Sequence, residues 1–140
     1  VMKNIHDYDI FLAVAAVSDY CSAAPSPQKL HKADQTVTLE FERTPDIAAA
    51  VGELSDKPFI VGFAAETENV ISSAKEKRQR KKMDMIVANK VGGGCGMGSD
   101  DNEVTIITAT DEDALPLMPK QQLARQLISR IAAYYQQQRT

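Results

Sequence analysis

The chain has 140 residues, 44% of them hydrophobic and 25% charged, with a net charge of −3. That is one domain's worth of soluble globular protein, able to bury about two-thirds of its unfolded surface without disulfide or metal staples. The acidic balance disfavours wholesale binding to nucleic acid and leaves room only for a local basic patch, and no apolar run reaches the roughly 20 residues of a membrane span.

Two cysteines, Cys21 and Cys95, form neither a CxxC motif nor a disulfide framework. No signal peptide is visible, so a reducing cytoplasm is the expected compartment. The first residue is Val1, which points to a processed or partial chain.

Residues 9–17, DIFLAVAAV, are almost all apolar and predict a strand covered on both faces, as in a parallel sheet. Residues 18–35 read as a loop stiffened by Pro25 and Pro27. Residues 36–42 alternate, with Val37, Leu39 and Phe41 on one side, and predict a half-exposed strand. In TPDIAAAVGEL, Thr44 is placed to cap a helix that has Pro45 in its first turn and Asp46 complementing its dipole.

FIVGFA, residues 59–64, is a second buried strand. Thr67 is expected to cap a helix running to about Lys82, with Val70, Ile71 and Ala74 facing inward. DMIVA, residues 84–88, is a third buried strand. A loop over 91–102 holds five of the seven glycines. VTIIT, residues 104–108, reads as a strand, and 114–117 as a short returning one. Pro119 opens a last helix on which Leu123, Leu127, Ile131 and Tyr134 recur at helical spacing. Its QQQRT tail is expected to fray.

Strands alternating with capped helices predict an α/β fold: a Rossmann-like, mostly parallel sheet flanked by helices, with an added antiparallel strand pair. Ligands of such sheets bind beyond the carboxyl ends of the strands. Ser18-Asp19-Tyr20, Ala65-Glu66-Thr67 and Asn89-Lys90 stand where that rule points.

Asp19 suits a divalent metal, a sugar or base hydrogen bond, or simply a turn. Lys29 and Lys32 suit phosphates or solvent, and His31 lies between them. The stretch KEKRQRKK, residues 75–82, carries six basic residues in eight. Lys77 and Lys81 share a helical face, as do Arg78 and Lys82. Three readings stay open: a helix end complementing its dipole, a nucleic-acid or nuclear-localisation patch, and a polyphosphate clamp. GGGCGMG, residues 92–98, lacks the GKS or GKT ending of a P-loop and is expected to be a mobile or tightly turned connection. No zinc-ligand spacing or Ser-His-Asp set is defensible.

Five segments stand together in order: AAVSDY (15–20), QKLHK (28–32), TPDIAAAV (44–51), VGFAAETEN (61–69) with KRQRKKMDMIVAN (77–89), and MGSDDN (97–102). The set resembles the synthetase domain of bacterial phosphopantothenate–cysteine ligases, the C-terminal half of a bifunctional coenzyme A biosynthesis protein. The resemblance implies CTP-dependent ligation of cysteine to 4′-phosphopantothenate through an acyl-cytidylate, with Mg²⁺ at unassigned ligands. It implies nucleotide contacts at Ala13, Asp19, Lys29, at Thr44, Pro45, Asp46 and Ile47, and at Phe63, Lys77 and Lys81. Ala15 and Ala16 correspond to the small residues beside the acyl part, and Lys29 to the lysine needed to form the acyl-cytidylate.

The same resemblance implies that residues 1–140 are the larger C-terminal part of one synthetase domain. It places a glycine-rich segment, and then an FMN-dependent decarboxylase half, upstream of Val1, so the chain as given is expected to be catalytically incomplete. It also implies a cytoplasmic homodimer without nucleic-acid or membrane partners, and strand 36–42 offers an edge for pairing across a two-fold axis. Two positions depart from the family pattern. His31 stands third in the lysine motif, where a lysine is usual, and Thr44 replaces the usual asparagine. The alternative from another class is a non-catalytic Rossmann-like module whose basic helix binds nucleic acid or a protein.

Overall fold

The computed structural model describes residues 1–26, 28, 38–91 and 98–139. They form two compact units, one made of residues 1–14 and 47–140, the other of residues 15–46.

The larger unit is built on a five-stranded sheet. Its strands are β1 (Ile10–Ala13), β4 (Phe59–Glu66), β5 (Met85–Lys90), β6 (Asp101–Ile107) and β7 (Glu112–Pro119), in the spatial order β1-β4-β5-β6-β7. β1, β4 and β5 are parallel, and β6 and β7 add antiparallel. The sheet is therefore a parallel core of three strands extended by an antiparallel pair. Three helices cover it: α1 (Ile47–Gly52), α2 (Val70–Arg80) and α3 (Lys120–Gln138).

The apolar runs of β4 and β5 are continuous because both faces of the sheet are covered. Phe59, Val61, Met85 and Val87 pack on one face with Leu123, Leu127 and Ile131 of α3. Ile60, Ala64, Ile86 and Ala88 pack on the other with Val51 of α1 and Ala74 of α2. Each of the larger of these side chains taken out of water contributes about 1.5–3 kcal/mol, and the alanines less, so the two faces together carry the stability of this unit.

The smaller unit holds β2 (Tyr20–Ser22) and β3 (Phe41–Arg43), paired antiparallel. No described residue of this unit is buried.

Several expectations are corrected. The 9–17 run is not a long, doubly covered strand. β1 has four residues, pairs only with β4 among the described strands, and leaves Leu12 exposed. Residues 38–40 are not in a strand, so β3 starts later than expected, and residues 36 and 37 lie outside the described residues. Thr44 does not cap α1. The helix starts three residues later, and the Thr44 hydroxyl donates to the Ser18 carbonyl. Nor does Thr67 cap α2: Asn69 holds the N-cap position, in the left-handed region at φ 50° and without a side-chain capping bond. The C-terminal glutamines are helical, since α3 runs through Gln138.

Candidate functional site

The expected site residues fall in both units, and each unit is taken by itself. In the smaller one, the backbone joins Asp19 to Thr44. The Thr44 amide donates to the Asp19 carbonyl at 3.0 Å, beside the bond from the Thr44 hydroxyl to Ser18. Two segments 25 residues apart in sequence are thereby held together, with Asp19, Ala15 and Ala16 exposed. Pro45 and Asp46 follow directly. Lys29, His31 and Lys32 lie outside the described residues.

In the larger unit, Ala13 ends β1 opposite Gly62 of β4, and Phe63 is the next residue of β4. Phe63 packs against the cluster on the α3 side of the sheet. Ile47 opens α1 and packs on the opposite face. At the carboxyl ends of the parallel strands, Ala65 is in register with Asn89 and Glu66 with Lys90.

Lys77 and Lys81 lie on the α1–α2 side, at the C-terminal end of α2. They are one turn apart, with the Lys81 amide donating to the Lys77 carbonyl at 3.1 Å, and both are half-buried. This end of α2 adjoins the start of β5, because the Met83 amide donates to the Arg78 carbonyl at 2.9 Å. The pair therefore stands near the amino-terminal edge of the parallel strands. The structure brings these two lysines together. It places Phe63 on the other face of the sheet.

The basic cluster is partly neutralised from within. Lys75 pairs with Glu112 and Lys82 with Glu53. Arg78 Nη1 donates to the Met83 carbonyl at 3.1 Å, while its Nε is buried without a hydrogen-bond partner among the described residues. Lys77 and Arg80 form no ion pair among the described residues.

The turn after α2 is held by a pairing that the sequence did not reveal. Lys57 Nζ donates to the Lys82 carbonyl at 3.0 Å and to both Asp84 carboxylate oxygens at 3.0 and 2.9 Å. The Asp84 carboxylate also accepts the Ile60 amide at 2.8 Å. Lys82 itself has φ 51°. Partners more than 20 residues apart leave no local spacing signal, so only the fold could reveal them.

A cleft of about 430 Å³ opens among Tyr8, Asp9, Lys57, Asp84, Tyr135 and Arg139, and none of the expected site residues lines it. No group of three or more His, Cys, Asp or Glu side chains is arranged for a metal among the described residues. No helix there is long and apolar enough to cross a membrane.

Comparison with known proteins supplies the kinship. The bifunctional coenzyme A biosynthesis protein CoaBC of Vibrio vulnificus (strain CMCP6) is 41% identical over 135 residues, covering 94% of this chain and 34% of the relative. Its counterpart in Escherichia coli (strain K12) is 37% identical over 140 residues, covering 96% and 34%. This chain thus spans about a third of the length of these curated relatives. The solved C-terminal domain of a CoaBC protein superposes with a TM-score of 0.72 at 32% identity, covering 93% of this chain and 56% of that one. Residues 1–135 match the DFP family, and the chain belongs to it: the DNA/pantothenate metabolism flavoprotein C-terminal domain.

Proposed function

We propose that this chain is the larger C-terminal part of a single synthetase domain that joins cysteine to 4′-phosphopantothenate at the expense of CTP. In that reaction a carboxylate oxygen of phosphopantothenate attacks the α-phosphorus of CTP and pyrophosphate leaves. The cysteine amine then attacks the acyl carbon and CMP leaves with the bonding electrons. The reading is supported by a family membership shared with coenzyme A biosynthesis proteins. The observation that carries it is the Lys77–Lys81 pair, two cationic chains fixed one turn apart with Lys77 unpaired among the described residues.

Charge builds on phosphate oxygens during nucleotidyl transfer, and fixed ammonium groups stabilise it without reorganising. Lys77 and Lys81 are assigned to the triphosphate. Lys29 is assigned to formation of the acyl-cytidylate, and Asp19, Ala13, Phe63 and residues 44–47 to the nucleoside end. Ala15 and Ala16 are assigned to the acyl part. Mg²⁺ belongs to the reading as the counter-ion of the nucleotide, held mainly by the phosphates and water as is usual for nucleotides, with no ligand residue assigned. It would supply charge neutralisation on the transferring phosphate. FMN has no assigned role in this chain and belongs to the decarboxylase half implied upstream. A cytoplasmic homodimer is part of the same reading.

The alternative, a basic helix binding nucleic acid, is disfavoured by the acids already engaged with Lys75 and Lys82. The test is calorimetric. Replacing Lys77 and Lys81 together by alanine is expected to weaken CTP binding by about tenfold or more, as for lost charge-assisted contacts. In a longer chain carrying the upstream segment, Lys29→Gln is expected to abolish acyl-cytidylate formation while the fold persists. Unchanged CTP affinity in the double variant, or thermal protection by ATP and not by CTP, overturns the assignment.

A further inference from the structure

We infer that Lys57 is a positioning residue for the triphosphate end of the nucleotide. It acts through the turn that carries Lys81, and the inference rests on the CTP reading above. A phosphate-binding pair at a helix C-terminus faces a difficulty. The last carbonyls of α2 take their donors from the turn that follows, the amides of Lys81, Lys82 and Met83, and the negative end of the helix dipole points the same way. The lysine pair keeps its place there only while that turn keeps its shape.

The structure holds the turn at two of its carbonyls. The Lys57 ammonium occupies the Lys82 carbonyl at 3.0 Å and is itself held by the Asp84 carboxylate. The α1 helix closes over the Lys81 carbonyl at Gly52. A side chain there would put its Cβ inside contact distance of Lys81 O, with Lys81 C at 3.1 Å and Lys82 Cβ at 3.4 Å. Asp84 extends the clip to the sheet through the Ile60 amide at 2.8 Å. The segment 81–84 is thus fixed from α1, from the loop before β4 and from β4 itself. Lys77 shares the device because the Lys81 amide is bonded to the Lys77 carbonyl.

The clip predicts a change in what the site distinguishes, separate from any change in stability. The β- and γ-phosphates should depend on it, and the nucleoside and α-phosphate should not. We therefore compare CTP and CMP affinities by calorimetry for the wild type, Lys57→Met and Lys57→Arg. Lys57→Met is expected to lower CTP affinity by about tenfold, within the range a misplaced binding group costs, and to leave CMP affinity unchanged. Lys57→Arg, which keeps the charge and the donors, is expected to restore most of the preference for CTP.

A purely structural role would move both nucleotides together, or only the melting temperature, and would overturn the inference. If Lys57→Met fails to fold, Lys57→Gln, which keeps a donor but not the charge, takes its place, and the CTP-to-CMP ratio is read there instead. An unchanged ratio in that variant is equally fatal. A wild-type chain that does not prefer CTP to CMP, or that keeps its preference when Lys77 and Lys81 are replaced, overturns the underlying triphosphate reading. A wild type that passes both controls while Lys57→Met behaves normally overturns the inference about Lys57 alone.

Discussion

Asp84 shows how one side chain links local geometry to the placement of others. Its carboxylate is 20% exposed and accepts both the Lys57 ammonium and the Ile60 amide. Removing it leaves a half-buried cation and a strand-end amide without their acceptor. Asp84→Ala is expected to lower stability by about 1–3 kcal/mol, the usual penalty for stranding such groups, seen as a lower urea midpoint with an unchanged slope. An unchanged midpoint would show that water replaces the carboxylate fully. At this scale the sequence was least informative. Lys77 and Lys81 were recognisable because four residues make one helical turn. The Lys57–Asp84 pair was not, since 27 residues separate its members and the predicted strand that Asp84 opens carries no sign of Lys57. Thr44 misled for a related reason. Its hydroxyl suits a helix cap, but the backbone of Ser18 lies within its reach and takes the bond.

Among elements, α3 was the most readable. Its apolar positions recur at helical spacing, and Leu123, Leu127 and Ile131 are buried against the sheet, with Tyr135 edge-on to Phe59 at 5.9 Å between ring centroids. Leu127→Ala is expected to cost about 2–5 kcal/mol, from lost burial and the cavity left behind. Its neighbour Ile128 is 57% exposed, and Ile128→Ala is expected to fall within about 0.5 kcal/mol of the wild type. Equal effects in chemical denaturation would mean that the helix face is misassigned. The end of α3 lay beyond sequence reading, because what retains it is distant. The Tyr135 hydroxyl donates to Asp9 at 3.0 Å, and the Arg139 guanidinium sits over the Tyr135 ring. β1 was misread in the opposite direction. An apolar run states that a segment can be buried, but not how much of it finds a partner.

For the whole molecule, the α/β class was legible because strand and helix periods alternate along the chain. The division into two units was not, because residues 15–46 include no long element and bury no described side chain. Protection should therefore be unequal. Amide exchange is expected to be fast across β2 and β3, a three-residue pair open to solvent. It should be slow across β4 and β5, whose flanking side chains are buried on both faces. Uniform protection across the chain would contradict this division. The expected ligand residues divide along the same line. The lysine pair sits on the better-packed unit and Asp19 on the poorly buried one, so substitutions in the two places carry different structural penalties.

The bonds from Thr44 to Ser18 and Asp19 have a consequence for how such a chain can vary. They bring the two ends of an inserted excursion side by side, so the stem stays the same whatever length or composition lies between. A cassette with a closed stem can be lengthened, shortened or rewritten with little demand on the scaffold that bears it. Sequence change within residues 19–43 then costs the packing of the sheet little, because the buried clusters on both of its faces draw no residue from that range.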